Sequence, residues 1–241
     1  MLKRAPSLSE QVKSHLKQQI VNDEFAEGRI PSETELAEAL GVSRTTVRDA
    51  LGRLESEGVI FRKQGAGTFV NKPGLQIKIR LEEMWSYAAV LEAHGYTPST
   101  QILSVHRQPA TADVAADLEL DSGVEMVVVR KLFLEDDQPV ILTENQIPAH
   151  LILAPFQDDD FCLPVYLFLG DYCRQRLAYY LSDIVPILTT PEIAAPLLLS
   201  VGAPLISFAE TGYNEDNQPI LKAHSYFRDD LLRLRLIRRQ V

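Results

Sequence analysis

The sequence predicts an α+β protein in two parts: a small helical module with a β-hairpin over residues 1–72 and a larger α+β domain over residues 80–241, joined by a linker at 73–79. Three observations lead there. Two short helical patterns meet at a Gly41-Val42 turn; a Gly-rich hairpin follows them; and beyond residue 80 one series of elements occurs twice.

In the first part, Ser7 is placed to cap a helix in which Leu8, Val12, Leu16 and Ile20 recur at helical spacing to about Asn22. Ser32-Glu33-Thr34-Glu35 carries a capping box ahead of Leu36, Ala37 and Leu40, and Gly41 stands where a left-handed residue ends the helix. Ser43 caps the next helix, with Val47, Leu51 and Leu54 as its buried stripe and Gly58 as its stop. Two helices joined this tightly form a helix-turn-helix. The inward stripe leaves Arg44, Thr45 and Arg48 outward near the start of the second helix, the end that enters a major groove. Strands at Val59–Lys63 and Gly67–Val70 flank Gln64-Gly65-Ala66, a wing whose glycines allow close approach to a minor groove. The module is therefore a winged helix-turn-helix, and duplex DNA is its expected partner.

Net charge bears on that expectation. The chain of 241 residues carries −9, yet residues 1–72 hold 11 Lys and Arg against 10 Asp and Glu, so the acidic excess lies in the second part. Local phosphate contacts rather than total charge govern affinity. Cys162 and Cys173 have no metal-type spacing, no apolar run reaches membrane-spanning length, and no apolar stretch follows the basic N-terminus. A cytoplasmic protein without metal, cofactor or membrane anchor is expected.

In the second part, Leu81 to Ala93 has a helical stripe (Leu81, Met84, Tyr87, Leu91), and Val124–Leu134 and Val140–Ile147 flank an Asp-Asp-Gln-Pro turn. Thr111-Ala112-Asp113-Val114-Ala115-Ala116-Asp117-Leu118 recurs as Thr190-Pro191-Glu192-Ile193-Ala194-Ala195-Pro196-Leu197. With a one-residue slip, Glu135-Asp136-Asp137-Gln138-Pro139-Val140 recurs as Glu215-Asp216-Asn217-Gln218-Pro219-Ile220. Each half thus reads helix, strand, short helix and hairpin, and the two halves are expected to merge into one antiparallel sheet with helices on one face. Counting back eight residues from each Gln-Pro gives Arg130 and Glu210, opposite charges in apolar strands. Such a pair is either a structural salt bridge or two walls of a cleft for a polar small molecule.

Ile30-Pro31-Ser32-Glu33, Gly41-Val42-Ser43-Arg44-Thr45-Thr46-Val47-Arg48-Asp49-Ala50-Leu51, Leu54-Glu55-Ser56-Glu57-Gly58 and Gln64-Gly65-Ala66-Gly67-Thr68-Phe69-Val70 together resemble the DNA-binding domain of GntR-family regulators over residues 6–72. The resemblance implies base and phosphate contacts from Arg44 and Arg48, backbone contacts from Thr45 and Thr46 beside the caps Ser32 and Ser43, and a minor-groove wing tip at Gln64, Gly65 and Gly67. Many members carry Arg where this chain has Thr34, which bears on operator preference. Residues 78–238 resemble, more loosely, the effector-binding UTRA domain of the HutC subfamily, through Gly95-Tyr96-x-Pro98, Asp136-Asp137-Gln138-Pro139-Val140 with Pro148, Val165-Tyr166, and Pro219-Ile220 with Arg228-x-Asp230. That resemblance implies a chorismate-lyase-like antiparallel sheet with flanking helices. It also implies a small effector, with Arg130 at the family's Arg-x-Arg and Thr143, with Glu144 beside it, at the family's Glu; Glu210, from the charge pair, and Tyr226 or Phe227, as an apolar wall, complete the expected effector site. The family's Arg-x-Arg is Arg130-Lys131-Leu132 here, which weakens a phosphate clamp and leaves an anionic or carbonyl-bearing effector.

The expected function is a ligand-responsive, sequence-specific regulator, a repressor by family default, acting as a homodimer on a palindromic operator. The alternatives are a second domain that only dimerises, an architectural DNA binder, or a lyase-like enzyme. No Gly-x-Ser-x-Gly, phosphate-binding loop or His-Glu-x-x-His supports catalysis, and no catalytic residue is expected.

Overall fold

Each helix of the first part starts where the caps direct it. In the computed structural model, which describes residues 6–75, 86–93 and 95–228, Ser7 accepts a hydrogen bond from the Glu10 amide and opens α1 (Leu8–Val21). Ser32 and Glu35 cap α2 (Glu33–Leu40) reciprocally, through bonds of 3.3 Å and 2.7 Å, and Gly41 closes it at φ 64°. Ser43 accepts from the Thr46 amide at 3.1 Å and opens α3 (Arg44–Ser56). Val12, Leu16 and Ile20 of α1 pack with Leu36 of α2 and Val47, Ala50, Leu51 and Leu54 of α3 in one buried cluster.

The wing pairs β2 (Ile60–Lys63) with β3 (Gly67–Val70), and β3 also pairs with β1 (Arg29–Ile30). The sequence does not signal β1, because two residues are too few for alternation to register. The start of the expected linker is also different. Lys72–Leu75 forms one helical turn, α4, packed back on the module. There Asn71 donates to the Gly58 carbonyl at 2.8 Å, and Gly74 sits so close that a Cβ would lie 1.9 Å from the same oxygen. Residues 76–79 lie outside the described residues.

The described residues fall into two compact units, and the second begins at residue 86. It contains α5 (Tyr87–Ala93), β4 (Pro98–Pro109), α6 (Ala112–Asp117), β5 (Glu125–Glu135), β6 (Gln138–Pro148), α7 (Val165–Cys173), β7 (Leu177–Leu188), α8 (Pro191–Leu197), β8 (Pro204–Asn214) and β9 (Pro219–Phe227). The duplicated order appears as helix, strand, helix and hairpin in both halves. The six strands form one antiparallel sheet in the order β4-β5-β6-β9-β8-β7, with the two hairpins abutting at its centre. Leu81, Met84 and Asp230 lie outside the described residues.

Helices cover both faces of this sheet rather than one. On one face α6 packs Val114 and Leu118 on Met126 and Val128, and α8 packs Leu197 on Leu132, Leu142 and Leu205. On the other, α7 and a 3-10 segment (Asp158–Cys162) bring Phe161, Phe168 and Leu169 onto Val127, Val129, Ile147 and Ala223. The reason is visible in β5. Val127-Val128-Val129 lacks polar alternation, and a strand buried on both sides needs none. Among the described residues no helix is long and apolar enough to cross a membrane.

Candidate DNA interface and ligand cavity

On the first unit, Ser32, Thr34, Ser43, Arg44, Thr45 and Arg48 are exposed, Thr46 is half-buried, and Val47 and Ala50 face the core. The cap fixes the register of α3, so the polar side chains of its first turns emerge from one surface. Arg48 is held there: its Nε and Nη2 donate to the Glu33 carboxylate at 3.1 Å and 2.9 Å. This fork keeps the Glu33 carboxyl below its usual range and orients the guanidinium with Nη1 left over. Arg44, among the described residues, forms no salt bridge. Gln64, Gly65 and Gly67 are exposed at the wing tip, with φ of 74° and 119° at the two glycines, where L side chains are strained. Arg29 lies beside Gly67 across the β1–β3 pair, its Nε 3.7 Å from where a Cβ would stand. That arginine was missed, since only the unpredicted β1 strand brings it to the wing.

On the second unit, a cavity of about 310 Å³ opens on the sheet face covered by α5 and α7. Its floor follows the register. Lys131, Thr143, Ser225 and Phe208 form one row across β5, β6, β9 and β8, and Asn145, Ala223, Glu210 and Ser182 form the next across β6, β9, β8 and β7. Tyr87, Phe133, Tyr166 and Tyr180 line the walls.

The floor holds charge without counter-charge. Lys131 is buried and donates to the carbonyls of Phe161 and Leu163 at 2.9 Å and 3.1 Å; desolvation lowers its pKa to about 8. Glu210 is buried too. It accepts from the Ser182 hydroxyl at 2.6 Å, and burial raises its carboxyl pKa. Among the described residues neither forms a salt bridge, and no protein group hydrogen-bonds the buried Asn145 amide. Tyr87 donates to Ser225 at 2.8 Å, and burial together with nearby Glu210 lifts the phenol pKa of both Tyr87 and Tyr180. Buried, unpaired charge facing open volume is the mark of a binding site rather than of a core.

Sequence comparison decides what surface and cavity belong to. The profile of the UTRA domain matches residues 93–233, and that of the bacterial regulatory proteins of the gntR family matches residues 8–70. The chain belongs to the GntR family, HutC type. It is 29% identical over 221 residues to the transcriptional repressor NagR of Bacillus subtilis, covering 91% of this chain and 90% of that one. To the histidine utilization repressor of Pseudomonas putida it is 29% identical over 223 residues, covering 88% and 84%. The fold matches the crystal structure of YydK of Bacillus subtilis, described as a possible transcriptional regulator, with a TM-score of 0.77 at 16% identity over 99% and 100% of the two chains. This GntR protein is thus a ligand-responsive DNA-binding regulator and not an enzyme.

Within this GntR regulator the five expected effector residues divide between two faces. Thr143 and Glu210 line the cavity. Arg130, Glu144 and Tyr226 point to the α6 and α8 face, where Arg130 donates to the Glu192 carbonyl at 2.9 Å and lies 3.7 Å from Glu144, and Tyr226 packs beside Leu132 and Leu142. Arg130 and Glu210 therefore neither pair nor face one cleft. The cause is the second hairpin turn, Glu215-Asp216-Asn217, which is one residue longer than Asp136-Asp137. Counting back from Gln-Pro across unequal turns slips by one, and a one-residue slip changes the face. The positional equivalent of Glu210 is Lys131: the first pairs with Ala223 and the second with Thr143, 80 residues apart in the repeat. Lys131 was missed for this reason; Asn145, Ser182 and Ser225 are uncharged and carry no comparable signal, although strict alternation from Thr143 reaches Asn145, and Tyr87 was expected only as part of a helical stripe.

Proposed function

We propose that the chain represses transcription as a homodimer bound to a palindromic operator, and that a small molecule entering the cavity beneath α7 releases it. The observation that carries this reading is the cavity itself: Lys131 and Glu210 lie buried on one floor, and among the described residues neither has a counter-charge. A purely dimerising domain has no use for them, because buried charges cost stability unless something pairs with them.

At the output end, Arg44, Thr45, Thr46 and Arg48 read the major groove, Ser32, Thr34 and Ser43 lie along the phosphate backbone, and Gln64, Gly65 and Gly67 approach the minor groove. The exposure of Ser32 and Thr34 at the start of α2, of Ser43, Arg44, Thr45 and Arg48 at the start of α3, and of the glycine wing supports these roles, with Thr46 half-buried among them. At the input end, Thr143 and Glu210 are joined by Lys131, while Arg130, Glu144 and Tyr226 serve the packing of α8. Homodimerisation is supported by β7, an edge strand of twelve residues that exposes Leu181, Ile184 and Leu188. Long apolar edges of this kind are normally covered. Repression follows the names of the two relatives. An effector acts only by binding the DNA-free arrangement better than the DNA-bound one.

The test is a thermal-shift screen of metabolites on the full chain, repeated on Ala178→Trp, which fills the exposed mouth of the cavity. Ligands that stabilise the wild type and weaken its DNA complex, and that lose both effects in the variant, support the reading. A ligand that releases DNA equally from both proteins refutes it.

A further inference from the structure

Resting on the assignment of the cavity as the effector site, we propose that its ligand is a zwitterion with well-separated charges: a carboxylate that meets Lys131 and an amine that meets Glu210.

The two ends of the floor differ in chemistry. At Lys131, two of the three ammonium hydrogens already go to the Phe161 and Leu163 carbonyls. One donor remains; the Thr143 hydroxyl, directly opposite on β6, already turns its hydrogen to the Lys131 carbonyl at 3.5 Å. That supply suits a carboxylate. A phosphate dianion asks for more donors than the one remaining ammonium hydrogen and a hydroxyl already engaged at 3.5 Å, and the position two residues on, which also faces the cavity, is the apolar Phe133.

At the Glu210 end the residues are arranged for a cation. The carboxylate has one hydroxyl donor, Ser182, and keeps acceptor capacity free. Ala223, opposite on β9, is small and leaves room above it. The rings of Tyr87, Tyr180 and Phe208 stand around the same part of the cavity, and aromatic faces attract an ammonium that has left water. Asn145 and Ser225 lie between the two ends, and the unpartnered Asn145 amide offers both a donor and an acceptor to the middle of a ligand.

The separation follows from topology. Strands β5 and β8 are divided by β6 and β9, so three strand spacings put roughly 14 Å between the backbones that carry the two charges. Lys131 leans toward the Asp158–Cys162 segment, which packs beside the outer strand β4, and so away from Glu210. An α-amino acid, with its charges on neighbouring carbons, does not span this floor; an ω-amino carboxylate does.

The test uses 6-aminohexanoate, with hexanoate, hexylamine and glucose 6-phosphate as comparators, each at millimolar concentration against the full chain. The proposal expects the zwitterion to raise the melting temperature more than any comparator. It expects Glu210→Gln to bring the zwitterion down to the level of hexanoate, and Lys131→Met to bring it down to that of hexylamine. Glu210→Gln should melt no lower than the wild type without ligand, since it removes a buried charge and keeps an acceptor for the Ser182 hydroxyl. Equal shifts from hexanoate or hexylamine, a larger shift from glucose 6-phosphate, or no shift from any compound would overturn the proposal. If a comparator binds and Ala178→Trp abolishes its binding, the zwitterion is wrong and the effector cavity stands. If 6-aminohexanoate shifts Ala178→Trp as much as the wild type, the cavity assignment itself has failed.

Discussion

Lys131 allows a prediction with a definite sign. Its ammonium falls from an ordinary 10.5 to about 8 because burial strips it of water. Between pH 8 and 10.5 the unfolded chain therefore binds a proton that the folded chain has given up, and over that window this group's contribution to stability rises with pH. The whole displacement corresponds to about 3 kcal/mol. Lys131→Met removes the titration and keeps an apolar chain of similar length. The two lost hydrogen bonds offset the variant by a constant, because a neutral amine still donates to both carbonyls. Urea unfolding of both proteins, each in a Cys162→Ser background that removes the thiol whose charge acts on Lys131, in half-unit steps from pH 7 to 10 measures the difference; the remaining groups titrate alike in the two and cancel. The stability of Lys131→Met relative to the wild type should be greatest near pH 7 and fall by up to about 3 kcal/mol as pH rises. Parallel curves would refute the account of Lys131 as a desolvated, unpaired charge.

Three further outcomes follow from the geometry. Arg44→Ala, which loses no salt bridge, should leave the melting temperature unchanged and weaken operator binding by on the order of 1–3 kcal/mol in an anisotropy titration. Gly74→Ala drives a Cβ into the Gly58 carbonyl at 1.9 Å, so it should destabilise the DNA-binding unit by an amount typical of overpacking, about 1–3 kcal/mol, read from a urea titration. Arg130→Ala cuts the tie to Glu192 and should destabilise the protein while leaving ligand release of DNA intact, as melting curves and a release assay would record. Loss of release with unchanged stability would return Arg130 to the ligand.

Much of this molecule is legible before any coordinates. Ser32, Ser43 and Gly41 announce the helix-turn-helix because capping is local chemistry, and local chemistry is written in adjacent residues. The repeat announces the two-hairpin sheet for a related reason, since one supersecondary unit occurs twice. What sequence pattern conveys poorly is facing. In the doubly buried run from Val127 to Leu132 the polar–apolar alternation that reports a strand's orientation is missing, so a single extra turn residue moved the inferred site from Lys131 to Arg130 and through the sheet. Asn145 and Ser225 stayed hidden for another reason: Asn145 stands in the polar run Thr143-Glu144-Asn145-Gln146 and Ser225 between His224 and Tyr226, so nothing marks either out from its neighbours. The sequence reading did locate Thr143 and Glu210 among cavity-lining positions, through family resemblance and through charge in an apolar strand.

Selection of bound sequences from a random DNA pool, with wild type and Arg44→Ala in parallel, tests most directly whether this chain reads DNA through α3. The wild type should enrich one motif present as two inverted copies about one helical turn apart, and Arg44→Ala should lose or relax that motif at fixed positions. Recovery of the unselected pool by the wild type, or of the same motif with equal strength by Arg44→Ala, would contradict it.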